Sequence, residues 1–260
     1  MSSIKYNQKV HDKIAEKYEF RHPEIYNPIE QARLRASLSE ALSLIQTNSE
    51  TKTALDFGCG DGNLTKLLVD LGASVVAADL SSKFLLRVES KFRPADQVKT
   101  LLLNGRDLSN IEDNTFDMVA TYSVLHHVPD YLKVVSEMIR TVKPGGIIYI
   151  DHEVNENYWD RPAELQQFYN EVELPKKLSW ESLKYRFRRL FNRRWQEEGD
   201  IHVWADDHIE WAEIEQVFLA QKCEIFKKDN YLLYNKVYNE EAYYKYKNQV
   251  SDMKMLIARK

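Results

Sequence analysis

The stretch Ala54-Leu55-Asp56-Phe57-Gly58-Cys59-Gly60-Asp61-Gly62-Asn63-Leu64-Thr65 constrains this chain more than any other. It opens with short apolar residues, passes through glycines at 58, 60 and 62, and runs into a helical pattern. That order predicts a strand, a tight turn and a helix start, the first half of a βαβ unit. Glycines allow the sharp turn and leave no Cβ between the main chain and a ligand. The helix that follows aims its first N–H groups at the same spot. In open α/β sheets, ligands bind at the carboxyl ends of strands. The stretch therefore reads as a seat where a small molecule lies against bare backbone.

The spacing narrows the ligand. A dinucleotide turn reads G-x-G-x-x-G, but residue 63 is Asn, so the pattern here is G-x-G-x-G. Asp56, just before the turn, would repel a pyrophosphate and attract a cationic amine. Downstream, Ser74-Val75-Val76-Ala77-Ala78-Asp79 reads as a β-branched strand ending in an acid that can take both hydroxyls of a ribose.

Together these residues resemble the class I S-adenosylmethionine-dependent methyltransferases. The resemblance covers about residues 50–153 and, more weakly, the last forty. It implies S-adenosyl-L-methionine as cofactor and S-adenosyl-L-homocysteine as product. It also implies that Asp56, Phe57, Gly58 and Gly60 hold the methionine part, and that Asp79 and Leu80 hold the ribose. In the family, the loop after strand three offers an acid or amide to the adenine amino group, beside a backbone N–H. Asp107, with Leu108 next to it, matches that place. The family pattern is Gly then Asp, whereas this chain has Asn104-Gly105-Arg106-Asp107, so Asn104 and Arg106 remain alternatives. Ser123 ends strand four beside the cofactor. The His126-His127 pair that follows borders both cofactor and substrate in the family.

Histidine is the side chain that exchanges a proton near neutrality, so His126 and His127 are the catalytic candidates as general base. Asp151-His152-Glu153 at the end of strand five could suggest a metal, but alternation along a strand sends neighbours to opposite faces. No metal site is expected.

Composition sets the frame. The 260 residues are 43% hydrophobic and 29% charged, enough for one large α/β domain with a modest cap. A net charge of −4 gives no bulk attraction to nucleic acid or to an anionic membrane. No run approaches the ~20 apolar residues of a membrane span, and residues 1–5 lack the apolar core of a signal peptide. Cys59 and Cys223 form neither a disulfide framework nor a metal spacing, which fits a cytoplasmic protein.

In chain order, residues 1–48 read as two helices over the cleft, broken at His22-Pro23 and resumed after Pro28. Residues 49–153 are the cofactor-binding core, with strands near 53–57, 74–79, 98–103, 116–123 and 147–151 and a Lys143-Pro144-Gly145-Gly146 turn. Residues 154–205 form a cap insertion after strand five, within which 180–195 reads as a basic amphipathic helix. That helix could bind an anionic acceptor, rest on a membrane surface, touch RNA, or simply pack. Residues 206–260 hold a helix capped by Asp206 or Asp207, a strand that begins at Cys223–Phe226, an extended run from Tyr231 to Tyr238, and a closing strand from Met253 to Ala258. The expected fold is a doubly wound, Rossmann-like seven-stranded α/β sheet in the order 3-2-1-4-5-7-6.

The expected activity is methyl transfer to an oxygen or nitrogen of a small molecule or glycan precursor, polar or anionic in character. Nucleic acid is disfavoured, because the Asn/Asp-Pro-Pro-aromatic tetrapeptide of base-amine methylases is replaced by Ser123-Val124-Leu125-His126. A nicotinamide-dependent oxidoreductase and a non-catalytic cofactor-binding protein of the same fold are the alternatives.

Overall fold

The structure is a computed structural model that describes residues 3–15, 18–93, 96–172 and 200–260. Strands β1 (Thr53–Phe57), β2 (Ser74–Asp79), β3 (Val98–Leu102), β4 (Phe116–Tyr122), β5 (Val142–Val154), β6 (Glu224–Tyr231) and β7 (Met253–Arg259) form one sheet. Its order is β3-β2-β1-β4-β5-β7-β6, and β7 alone among neighbours of β5 and β6 runs antiparallel to both. This is the doubly wound arrangement that the sequence predicts. β4 is buried along its whole length, as a central parallel strand covered on both faces must be.

Helices α1 (Ser3–Ile14), α2 (Tyr18–Arg21) and α3 (Pro28–Ser43) precede the sheet. Helices α4 (Asn63–Asp70), α5 (Ser82–Lys91) and α6 (Tyr131–Thr141) connect its parallel strands. Asn27 caps α3 by accepting from the Glu30 N–H, and Pro28 takes the first helical position, where its missing N–H costs nothing. α3 buries Leu34, Leu38 and Ala41 against one sheet face with Leu67, Met118 and Tyr149. α6 and α9 (Trp211–Ala220) cover the other face, with Val135, Met138, Trp211 and Phe218 packed on Val119 and Ile148.

Three local expectations are corrected. The Lys143-Pro144-Gly145-Gly146 turn lies within β5 as an irregularity, because pairing with β4 jumps from Phe116↔Val142 to Met118↔Ile147. Asp207 does not cap the following helix: it pairs in a short antiparallel ladder with Trp204 and accepts from His202, and the helix starts at Trp211. The strand expected to begin at Cys223–Phe226 does so and runs to Tyr231. The run after it, to Tyr238, leaves the sheet, because Leu232 and Tyr234 turn into a satellite core. That core joins α8 (Ala163–Val172) to α10 (Glu240–Tyr246) through Phe168, Tyr243 and Tyr246. Of the cap insertion, α7 (Glu156–Asp160) and α8 are described, and the basic stretch 180–195 lies outside the described residues.

Candidate active site

The carboxyl ends of β1, β2 and β4 open into a cleft of about 1050 Å³ up to its mouth. The glycine turn forms its floor, and each glycine there answers a different need. A Cβ on Gly58 would fall 2.5 Å from a Val124 methyl, so the main chain must pass bare beneath the loop after β4. A Cβ on Gly62 would crowd Val88 and Phe92 of the α5 region at 3.2 and 3.3 Å. A Cβ on Gly60 meets nothing nearer than Tyr18 at 3.9 Å, so its bareness is not required by packing. Its φ of +49° favours glycine, and because Gly60 lines the cleft the same bare main chain lets a ligand approach closely.

Asp79 ends β2 and is 5% exposed. Its Oδ2 accepts from the Gly60 N–H at 2.9 Å and its Oδ1 from the Ser81 N–H at 2.7 Å. Burial pushes its carboxyl upward, while those two N–H groups and His11 oppose the push. Asp56 lies deeper, 1% exposed, and accepts from the Thr65 hydroxyl at 2.5 Å. Burial moves its carboxyl from 3.8 to about 7. Asp61 is buried in the turn and paired with Arg87 at 2.6 Å and Lys91 at 2.5 Å. The turn is thus held from both sides by carboxylates of the chain.

Phe57, Leu80, Asp107 and Ser123 also line the cleft. Asp107 spends its carboxylate on Asn104 Nδ2 at 2.9 Å, the Ser109 hydroxyl at 2.7 Å and Lys133 Nζ at 2.9 Å, which together hold it well below the usual carboxylate range. Arg106 lines the cleft beside it. Leu108 does not: its side chain is fully buried in the core with Leu103 and Ile111, and its carbonyl accepts from Arg140. Ser123 takes φ +59°, and its N–H donates to the Asp151 carbonyl at 3.0 Å.

The two histidines part company. His127 lines the cleft, whereas His126 turns toward β5, where its Nδ1 meets Glu153 Oε2 at 2.8 Å. Glu153 also accepts from the Val124 and Leu125 N–H groups at 2.9 and 2.7 Å. The Asp151-His152-Glu153 triplet points three ways, since a bulge between Ile150 and Glu153 interrupts the β5–β7 pairing. Asp151 pairs with Arg33 at 2.9 Å and accepts from the hydroxyls of Tyr149 and Tyr231. His152 stacks on Tyr122 at 4.5 Å, and its burial holds the imidazole below 6.5, in the neutral form.

Several cleft residues carry no motif that a sequence reading could have found. α1 lies across the cleft: Asn7 Nδ2 donates to the His127 carbonyl at 3.0 Å and Gln8 Nε2 to the Leu80 carbonyl at 3.3 Å. A Cβ on Gly105 would stand 2.7 Å from Ile4 of the same helix. Tyr18, Ile25, Tyr26 and Tyr122 complete the wall. Three buried polar atoms of cleft-lining residues have no hydrogen-bond partner among the described residues: Asn7 Oδ1, the Tyr26 hydroxyl and Asn63 Nδ2. Buried polar groups are normally satisfied, so these three are suited to meet polar groups of a ligand. A molecule with an amino-acid end, ribose hydroxyls and a base edge supplies such partners, and the residues present fit S-adenosylmethionine.

Residues 55–150 match the family model described as "Methyltransferase domain". The core of this chain is thus similar to S-adenosylmethionine-dependent methyltransferase domains. The methyltransferase core is 40% identical over 97 residues to a demethylmenaquinone methyltransferase of Bacillus licheniformis, covering 36% of this chain and 41% of that protein. It is 35% identical over 99 residues to a ubiquinone biosynthesis O-methyltransferase of Thiobacillus denitrificans, covering 38% and 43%. The chain thus spans less than half the length of these two curated relatives. An S-adenosylmethionine-dependent methyltransferase structure from Mesorhizobium loti matches 87% of this chain and 98% of its own, with a TM-score of 0.58 at 16% identity. One from Methanosarcina mazei matches 82% and 93%, with a TM-score of 0.53 at 20% identity. The methyltransferase fold therefore extends beyond the segment that the sequences share. Among the described residues, no helix is long and apolar enough to cross a membrane.

Proposed function

We propose that the protein transfers the methyl group of S-adenosylmethionine to an oxygen or nitrogen of a small organic acceptor. The observation that carries this reading is the bare Gly60 main chain, tied to Asp79, in a cleft with three unpartnered polar atoms. Asp79 keeps acceptor capacity for ribose hydroxyls, since a carboxylate offers about four acceptor sites and the Gly60 and Ser81 N–H groups take one on each oxygen. Asp56 and Asp79 favour a cationic, phosphate-free cofactor over a nicotinamide dinucleotide.

When bound, S-adenosylmethionine supplies an electrophilic methyl on a positively charged sulfur. The acceptor's lone pair forms the new bond to the methyl carbon as the carbon–sulfur bond breaks. That electron pair stays on sulfur, giving S-adenosylhomocysteine. The chain aligns the two partners and excludes water, which alone can supply much of the rate. Removal of the acceptor's proton falls to His127, the histidine of the pair that lines the cleft.

The curated relatives are named for menaquinone and ubiquinone synthesis, which supports a small organic acceptor over a nucleic acid. A glycan precursor, polar or anionic, fits the same reading. Transfer of labelled methyl from S-adenosylmethionine into a fractionated extract tests it. Label in the soluble small-molecule or glycan fraction is the expected result. A protein that binds S-adenosylhomocysteine yet labels no fraction would speak for a non-catalytic binding protein.

A further inference from the structure

Three potential metal donors from distant parts of the chain meet at the rim of the cleft. His126 and His127 occupy a single 3-10 turn, Leu125–His127. Asp200 reaches them because the N–H groups of Ile201 and His202 both donate to the His126 carbonyl at 3.0 Å. One ring nitrogen of each histidine and a carboxylate oxygen of Asp200 all lie within 4.8 Å of one another. His127 Nδ1 and Asp200 Oδ1 are 3.3 Å apart, the spacing of two ligands around a tetrahedral ion with bonds of about 2.0–2.2 Å.

The supporting groups are also in place. Glu153 holds His126 Nδ1 at 2.8 Å while its other oxygen is fixed by two main-chain N–H groups. A carboxylate behind a histidine in this way sets the ring's orientation and raises the basicity of its other nitrogen toward a metal. Asn7 holds the His127 carbonyl from the opposite side.

We infer that His126, His127 and Asp200 bind one divalent transition-metal ion of the zinc class, with a further coordination position facing the cleft. Two imidazoles and one carboxylate suit zinc and its neighbours, whereas magnesium and calcium prefer oxygen donors throughout. Three protein ligands plus an open position is the pattern of catalytic rather than structural zinc. His127 lines the cleft, so the ion faces the acceptor end. There it would polarise the acceptor's hydroxyl and help release its proton to water, in place of a histidine base, since an imidazole that ligates the ion cannot also take the proton. That role rests on the methyl-transfer reading; ion binding does not.

The test uses the untagged full chain, freed of metal by chelator and dialysis. Zn²⁺ uptake is followed by calorimetry, and Co²⁺ by its visible absorption. The expected result is one ion per chain, with the intense Co²⁺ bands of a four-coordinate site. Asp200→Asn and His127→Gln should each weaken uptake at least 10-fold, and Glu153→Gln should weaken it about 10- to 100-fold. Thermal melting confirms that each variant is folded. Absence of uptake by the wild-type chain, or affinity unchanged in both Asp200→Asn and His127→Gln, overturns the site. S-adenosylhomocysteine binding is measured on the same samples. Ion uptake that depends on the three residues in a chain that does not bind S-adenosylhomocysteine would support the ion site while refuting the methyl-transfer reading.

Discussion

The main-chain N–H of Gly60 donates to the carboxylate of Asp79 at 2.9 Å, tying the glycine turn after β1 to the end of β2. One carboxylate therefore both shapes the turn and faces the ligand that the turn receives. Replacing Asp79 with Ala removes both. We expect S-adenosylhomocysteine affinity to fall about 10- to 150-fold, the equivalent of roughly 1.5–3 kcal/mol for hydrogen bonds to a charged group. Titration calorimetry reads this directly, and an unchanged affinity would remove Asp79 from the ribose position.

Gly58 and Gly60 should respond differently to alanine. At Gly58, φ is +74° and the new methyl meets Val124 at 2.5 Å. The left-handed strain of about 1–2 kcal/mol adds to an overpacking cost of about 1–3 kcal/mol. Melting should drop by several degrees, and Val124→Ala should restore part of the loss. At Gly60, φ is +49° and the nearest atom is 3.9 Å away, so the strain stands alone and cofactor affinity falls more than stability does. Equal melting losses at the two positions would contradict this division.

The buried carboxyl of Asp56 predicts a pH dependence. Its folded value, about 7, lies above its ordinary 3.8, so between these values the folded state holds a proton that the unfolded state has released. Stability contributed by this group is therefore highest below about pH 4 and declines as pH rises through 7. The full range is worth on the order of 4 kcal/mol. Asp56→Asn cannot ionise, so its stability relative to the wild type should improve steadily from pH 5 to pH 8 in urea titrations. A pH-independent difference would show that burial does not govern this carboxyl.

Arg33 is the cation of a buried cluster, contacting Glu30 and Asp151 and lying 3.8 Å above the Tyr231 ring. Removing one partner of such a set strands the other charges. Arg33→Met should cost about 3–5 kcal/mol in urea denaturation, with part regained in the Arg33→Met/Asp151→Asn double variant. A loss below about 1 kcal/mol would mean that water already satisfies Asp151.

The glycine turn, the acid-ended β2 and the closing β7 were legible because each rests on local chemistry: bare backbone, β-branched residues, a short apolar run. The walls of the cleft were not. Asn7, Tyr18 and Tyr26 acquire meaning only when the leading helices fold back across the turn, and nothing in their spacing announces it. The side chain of Leu108 was not legible either, since a loop's backbone can face a ligand while its side chain enters the core. Glu153 could be seen in the sequence but not its object, because the bulge after Ile150 decides which way it turns. Asp200 lies 73 residues beyond His127, a separation that no short motif spans.

The position of β7 between β5 and β6 carries a consequence for synthesis. β5 contains a run of eight buried residues, and one edge of it is covered only by residues 253–259. The ribosome makes every strand of the cofactor cleft first, and the covering strand more than a hundred residues after β5 begins. Throughout that interval, an apolar edge with free main-chain donors and acceptors is open to any other extended chain. The nascent protein should therefore depend on shielding by chaperones until β7 emerges, and a stall before residue 253 should yield aggregates rather than a folded core.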